Sequence, residues 1–184
     1  MLQPESMIAA NLRAPTHTVN TEVITRLATL ADVTALTDLL VSYQAFYDYT
    51  PDREAARAFL HDGLATGQAI IFMTTRGDEA LGYLQISPGF YPAQLRRTYA
   101  ISNLYVSSKA RGLGVGSRLM EAARDYAQAH NAMKMTLMAL PDLWTSQAFY
   151  ESHGWRHNER LQVFELPLNP VPLATPAAKA EVAA

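Results

Sequence analysis

Gly112, Gly114 and Gly116 alternate within Val106–Ser117 (V-S-S-K-A-R-G-L-G-V-G-S), which follows the apolar run Ala100–Val106 and precedes the helical pattern from Arg118. Glycines let a backbone approach a ligand closely and adopt φ > 0. In the helix that follows, the first-turn N–H groups lack intrahelical partners, and the helix dipole favours negative charge beside them. Leu113, Val115 and Ser117 contribute further amides to the loop, and Arg111 adds a permanent cation. A strand, such a loop and a helix start form a cradle for a phosphate-bearing ligand, a pyrophosphate above all.

Two common phosphate loops do not match. A Walker A loop ends in G-K-[ST], and Gly116-Ser117-Arg118 has no such lysine. A dinucleotide fingerprint needs G-x-G-x-x-G after the first strand, whereas here the spacing is G-x-G-x-G past the middle of the chain. What remains is R-x-x-G-x-G, which resembles the acetyl-CoA loop of the GNAT superfamily of N-acetyltransferases. The plain alternative is a glycine-rich connection without a ligand. A second motif adds to the resemblance. Trp144–Trp155 (W-T-S-Q-A-F-Y-E-S-H-G-W) is similar to the superfamily's downstream F-Y-E-x-x-G-F/W, and it follows the apolar run Met133–Leu140. The chain departs from the family at Leu143, where an Asn is usual, and at Ser146, where an Ala is usual.

The resemblance covers about Thr21 to Leu168 and is closest to the branch that acetylates small amines. It implies an α/β fold with a mixed, mostly antiparallel central sheet and helices on both faces. It implies that the Asn103–Val106 strand splays from the Met133–Leu140 strand, so that acetyl-CoA inserts between them. Backbone groups of Leu104, Tyr105 and Val106 would pair with its pantetheine arm, one N–H facing the thioester oxygen. Tyr150 falls at the family's tyrosine, a general acid able to protonate the departing thiolate. Relatives often carry an acid in a pattern like L-N-D-L-Y-V. Here the stretch is I-S-N-L-Y-V, and Asn103 stands at that place. An amide cannot take the amine's proton, though it can orient the acceptor or a water. Asp48 and Asp142 are alternative bases, as are a water relay and the neutral amine fraction, about one molecule in 10³ to 10⁴ at pH 7. The acceptor pocket would be walled by aromatic residues, with Phe46, Tyr47 and Tyr91 the leading candidates and Asp48, Tyr49 and Phe90 beside them. Aromatics at helical spacing also pack cores.

The elements that must position these residues are legible in outline. Glu22–Ala28 alternates as a strand. Asp32 is placed to cap a helix carrying Val33, Leu36, Leu40, Tyr43 and Tyr47. Thr50-Pro51 reads as the start of a second helix with Ala56, Phe59, Leu60 and Leu64 inward, ended by Gly67. Ala69–Thr75 and Ala80–Ser87 form a hairpin, Pro88–Arg97 a long connection, Thr98–Val106 the next strand, and Arg156–Leu166 contains the last. Met1–Asn20 and the Pro/Ala-rich 169–184 read as poorly ordered extensions around one domain, 21–168.

Composition bounds the function. At 184 residues, 49% hydrophobic and 17% charged, the chain can bury a sizeable core. A net charge of −2 gives no electrostatic case for nucleic acid, and no apolar run reaches a membrane span. The absence of cysteine excludes disulfides and a cysteine nucleophile, and the five histidines show no metal spacing, so no metal is expected. His153 is the histidine nearest the motif. The expectation is a cytoplasmic N-acetyltransferase that uses acetyl-CoA as co-substrate and a small-molecule amine as acceptor. A homodimer, with the N-terminal extension packed on its partner, stays open. The alternative is a catalytically silent acyl-CoA-binding regulatory module, motivated by Asn103 and Leu143.

Overall fold

The structure, a computed structural model, describes residues 22–139, 144–166 and 168, with only the backbone at 144–146. In chain order the elements are β1 (Val23–Leu27), α1 (Val33–Phe46), α2 (Arg53–Ala65), β2 (Ile70–Arg76), β3 (Glu79–Tyr91), β4 (Arg96–Val106), α3 (Val115–Ala129), β5 (Lys134–Leu137) and α4 (Trp144–Ser152). The sheet has the order β1-β2-β3-β4-β5; the first four strands are antiparallel and β5 runs parallel to β4. A parallel pair needs a crossover, and α3 supplies it. This is the mixed, mostly antiparallel sheet that the motifs imply.

Strand alternation divides the core into two layers. On one face Leu84, Ile86, Tyr99 and Val106 pack against Val115, Leu119, Met120 and Ala123 of α3. On the other, Ile71, Met73, Tyr83 and Tyr105 meet Leu36, Leu39 and Leu40 of α1 with Ala56 and Leu60 of α2. Each large side chain buried in this way contributes roughly 1.5–3 kcal/mol. Gly82 lets β3, β4 and α3 close together, since a Cβ there would lie 2.7 Å from the Tyr105 carbonyl oxygen and 3.2 Å from Val115 Cγ1.

Several expected boundaries move, each for a local reason. Asp32 precedes α1, but its carboxylate turns back to accept the Thr29 N–H at 2.8 Å and to pair with Arg26 at 2.7 Å rather than capping α1. The second helix starts at Arg53 rather than at Thr50-Pro51, because Asp52 accepts the Ala55 N–H at 2.9 Å. Phe59 is 59% exposed, so only Ala56 and Leu60 of the expected stripe are buried. Pro88–Arg97 is not a long connection. The β3–β4 hairpin extends to Tyr91↔Arg96, closed by a 3-10 turn at Pro92–Gln94 and by Leu95 at φ 53°. The helix after the glycine loop begins at Val115, before Arg118. Arg156–Leu166 forms no strand, and Leu161, Val163, Phe164 and Leu166 are exposed. The extensions Met1–Asn20 and 169–184 lie outside the described residues, as do Asp142, Leu143 and the side chain of Ser146.

Candidate active site

The β4–β5 ladder ends at Ile101↔Leu137, while β4 continues to Val106. Among the described residues, Ser102–Val106 therefore have no strand partner on that side. The neighbouring ladder pairs Gln85↔Asn103 and then Ile86↔Ile101, which leaves Ser102 as an unopposed extra residue. Such a bulge bends a strand and increases its local twist. The result is a fork whose β4 side carries the backbone of Leu104, Tyr105 and Val106. Strand-edge N–H and C=O groups require partners, and an extended, amide-bearing chain such as a pantetheine arm offers them.

The glycine loop stands at the end of the forked strand. Gly112 and Gly114 take φ of 75° and 74°, and apart from their own chain neighbours nothing lies within 4 Å of where either Cβ would be. Both glycines, with Leu113, face solvent. Gly114 is the N-cap of α3, with no side-chain cap. The helix's first bond runs from the Arg118 N–H to the Gly114 carbonyl at 3.1 Å, so the N–H groups of Val115, Gly116 and Ser117 precede the ladder. One expectation needs correction. Gly116 is a buried residue within α3 and does not take positive φ. Arg111 lays its guanidinium 5.0 Å over the Phe46 ring, and its Nε is buried without a hydrogen-bond partner.

Across from the loop, the end of α1 builds an aromatic wall. The Tyr43 ring lies 4.9 Å from Tyr47 and 6.1 Å from Tyr105, and Phe46 lies 5.1 Å from Tyr47. Tyr150, at the end of α4, packs with Phe149 and Trp155 against the α3-side core. Its phenol is nevertheless close enough to Tyr47 and Tyr43 to interact electrostatically with them. Tyr150 thus packs on the α3-side core while its phenol interacts with the tyrosines of the α1 wall. Burial, then Tyr47, raises its pKa, so the hydroxyl keeps its proton at neutral pH. Burial pushes Tyr43 up to about 12 and raises Tyr47, where Arg111 opposes the shift. On the sheet, Asn103 Nδ2 donates to the Tyr83 hydroxyl at 3.4 Å, and burial holds that phenol well above the usual tyrosine range.

Phe46, Tyr47, Asn103, Arg111 and Tyr150 therefore gather around one end of β4 together with the loop. Tyr91 does not join them. It pairs with Arg96 at the opposite end of β4 and lies under Lys134 Nζ at 5.2 Å. Asn103 is seven positions further along β4 from Arg96, which is roughly 20 Å of strand. Phe90, 74% exposed, stands out with Tyr91. His153 is tied to α4 through Nδ1 and the Phe149 carbonyl at 2.8 Å. Among the described residues no cluster of His, Asp or Glu is arranged to hold a metal, and no helix is long and apolar enough to cross a membrane. Sequence reasoning missed Tyr83 and Gln85. Gln85 is a polar residue on the buried period of an apolar strand, and that was the available signal.

Comparison with known proteins gives the fork and its glycine loop a family. Residues 34–155 match the acetyltransferase (GNAT) family. An uncharacterized N-acetyltransferase of Bacillus subtilis, YhfO, is 31% identical over 133 residues, covering 72% of this chain and 89% of that protein. The chain belongs to the GNAT acetyltransferase family. A crystal structure of a probable acetyltransferase, 28% identical, superposes with a TM-score of 0.76 over 80% of this chain and 99% of the other. An aminoglycoside acetyltransferase from an uncultured soil metagenomic sample, solved with sisomicin, shares the fold at 16% identity, with a TM-score of 0.69 over 80% of this chain and 97% of its own.

Proposed function

We propose that the protein transfers the acetyl group of acetyl-CoA to a primary amine of a small molecule by direct attack in a ternary complex. The observation that carries this reading is the junction of the β4–β5 fork, the uncapped first turn of α3 and the Tyr150 hydroxyl. Acetyl-CoA, when bound, supplies an activated thioester. The amides of the loop and of Val115, Gly116 and Ser117 receive its pyrophosphate, and the free side of Leu104–Val106 aligns its arm. A β4 N–H facing the thioester oxygen stabilises the charge that grows there. The acceptor enters between the α1 wall of Tyr43, Phe46 and Tyr47 and the Asn103 row of the sheet. As the C–N bond forms and the C–S bond breaks, Tyr150 gives its proton to sulfur and regains one from the nitrogen, so that neutral amine and thioester become amide and thiol. Tyr91 has no part in this assembly.

A small amine acceptor agrees with the sisomicin-bound relative, although that likeness is one of fold. Asn103, engaged with Tyr83 rather than offering a carboxylate, favours the second reading of a silent acyl-CoA-binding module. The two separate in one assay. The purified chain with acetyl-CoA and a panel of primary amines should release CoA thiol in step with the acetylated amine. Tight CoA binding without thiol release from any amine would establish the silent module instead.

A further inference from the structure

Among the described residues, three buried side-chain atoms lack a hydrogen-bond partner: Gln44 Oε1, Gln85 Oε1 and Arg111 Nε. All three lie on elements that frame the fork, namely the end of α1, β3 and the glycine loop. A buried polar group without a partner costs about 1–3 kcal/mol, so each calls for an explanation. Gln85 is the most enclosed, at 6% exposure. It sits directly opposite Asn103, beside the Ser102 bulge and one row beyond the last β4–β5 pair. Strand alternation puts it on the same face as Tyr83, which packs against α1. Asn103 spends its Nδ2 on Tyr83, which leaves its Oδ1 to accept. The first side-chain row past the fork thus presents two carboxamide oxygens on neighbouring strands, where opposed Cβ atoms lie about 5 Å apart.

We infer that Gln85 is the positioning residue for the acceptor, taking one N–H of a primary amine on its orphaned oxygen while Asn103 takes the other. An attacking amine must aim its lone pair at the carbonyl carbon, so its hydrogens need acceptors on the far side. Two neutral amides satisfy both hydrogens and leave the lone pair free to attack. The row therefore selects an amine that carries two N–H groups. A tertiary amine, with no N–H, gains nothing from it.

This inference rests on the proposed reaction, and its test separates the two. Benzylamine and putrescine serve as probes, with amine affinity measured by calorimetry on the CoA-saturated full chain and turnover by thiol release. Gln85→Met keeps the volume and removes the oxygen. Its KM and Kd for the amine should rise at least tenfold, with CoA affinity unchanged and Tm equal or higher, because an unpaired buried polar group has been removed. Gln85→Glu keeps an acceptor oxygen at the same atom and should retain amine affinity within about threefold of wild type. If the wild type binds the amines without turnover and Gln85→Met loses that binding, the reaction fails while Gln85's role stands. Turnover with a wild-type KM in Gln85→Met overturns the role and leaves the reaction standing. The role is equally overturned if neither amine binds the wild type or if Gln85→Met does not fold, since a side chain kept for a ligand tolerates an apolar isostere.

Discussion

In the proposed reaction Tyr150 moves protons and Asn103 stands where a base would be expected, and each makes a separable expectation. Tyr150→Phe deletes the hydroxyl and keeps the ring packed with Phe149 and Trp155, so folding and CoA affinity should hold. Loss of an acid that acts only as sulfur departs should lower kcat by roughly 10²-fold. A mutant with unchanged kcat, chemistry being rate-limiting, would assign the phenol to packing alone. Asn103 concerns the other proton. Without a carboxylate in its row, the wild-type rate should rise with pH as the amine becomes neutral, with no inflection below pH 8. Asn103→Asp places a half-buried carboxyl beside the Tyr83 hydroxyl, and desolvation raises its pKa towards a value useful to a base. That variant should gain activity near pH 7 and show a new acidic inflection. A wild type that already inflects between pH 6 and 7, or a mutant that only loses activity, would show that the proton leaves by another route. Both residues were legible because they fall within motifs. Gln85 and the contact of Arg111 with Phe46 were not, since one depends on which residue a partner strand sets opposite it and the other on a ring from a distant helix.

The Arg26–Asp32 pair ties β1 to the start of α1. Arg26's hydrogen bonds are the largest cause that lowers Asp32 from 3.8 to about 2. A carboxyl depressed on folding adds stability above its unfolded pKa and loses it as the pH falls through the folded value. The contribution is therefore complete above about pH 4 and vanishes towards pH 2. Arg26→Met should lower Tm near pH 7 by ~2–4 °C, the equivalent of about 1 kcal/mol for a half-exposed pair in a chain of this size. The difference from wild type should close as acid protonates Asp32, and a gap that persists at pH 2 would assign the effect to packing of the arginine stem. At this scale apolar periodicity marked the first strand, the β2–β3 hairpin and the two early helices, while the arrangement of the sheet came from the family resemblance. Boundaries failed where tertiary contacts overrode local signals. Asp52 outcompeted the Thr50-Pro51 start by reaching Ala55, and the β3–β4 hairpin ran through Pro88 because Tyr91 and Arg96 could still pair.

Among the described residues the sheet opens at one end, and a ligand that spans the opening should stabilise the fold as a unit. The free side of Leu104–Val106 and the first turn of α3 belong to elements that also close the α3-side core, so occupying them ties β4 and α3 together. By mass action, a ligand at 100 times its Kd that binds only the folded state adds about 2.7 kcal/mol. In a chain of this size that is ~5–10 °C in Tm. Acetyl-CoA should produce such a shift with logarithmic dependence on concentration, whereas the adenosine or pantetheine portion alone, each filling half of the path, should give less. Gly114 provides the control. Its φ of 74° makes any side chain there costly, about 1–2 kcal/mol, so Gly114→Ala and Gly114→Asp should both begin from a lowered Tm. They then diverge: the alanine variant should keep most of the acetyl-CoA shift, and the aspartate, whose charge opposes the pyrophosphate at the helix start, should lose at least tenfold in affinity and with it most of the shift. Equal shifts in the two variants would move the phosphate site away from α3 and remove the loop from the reaction.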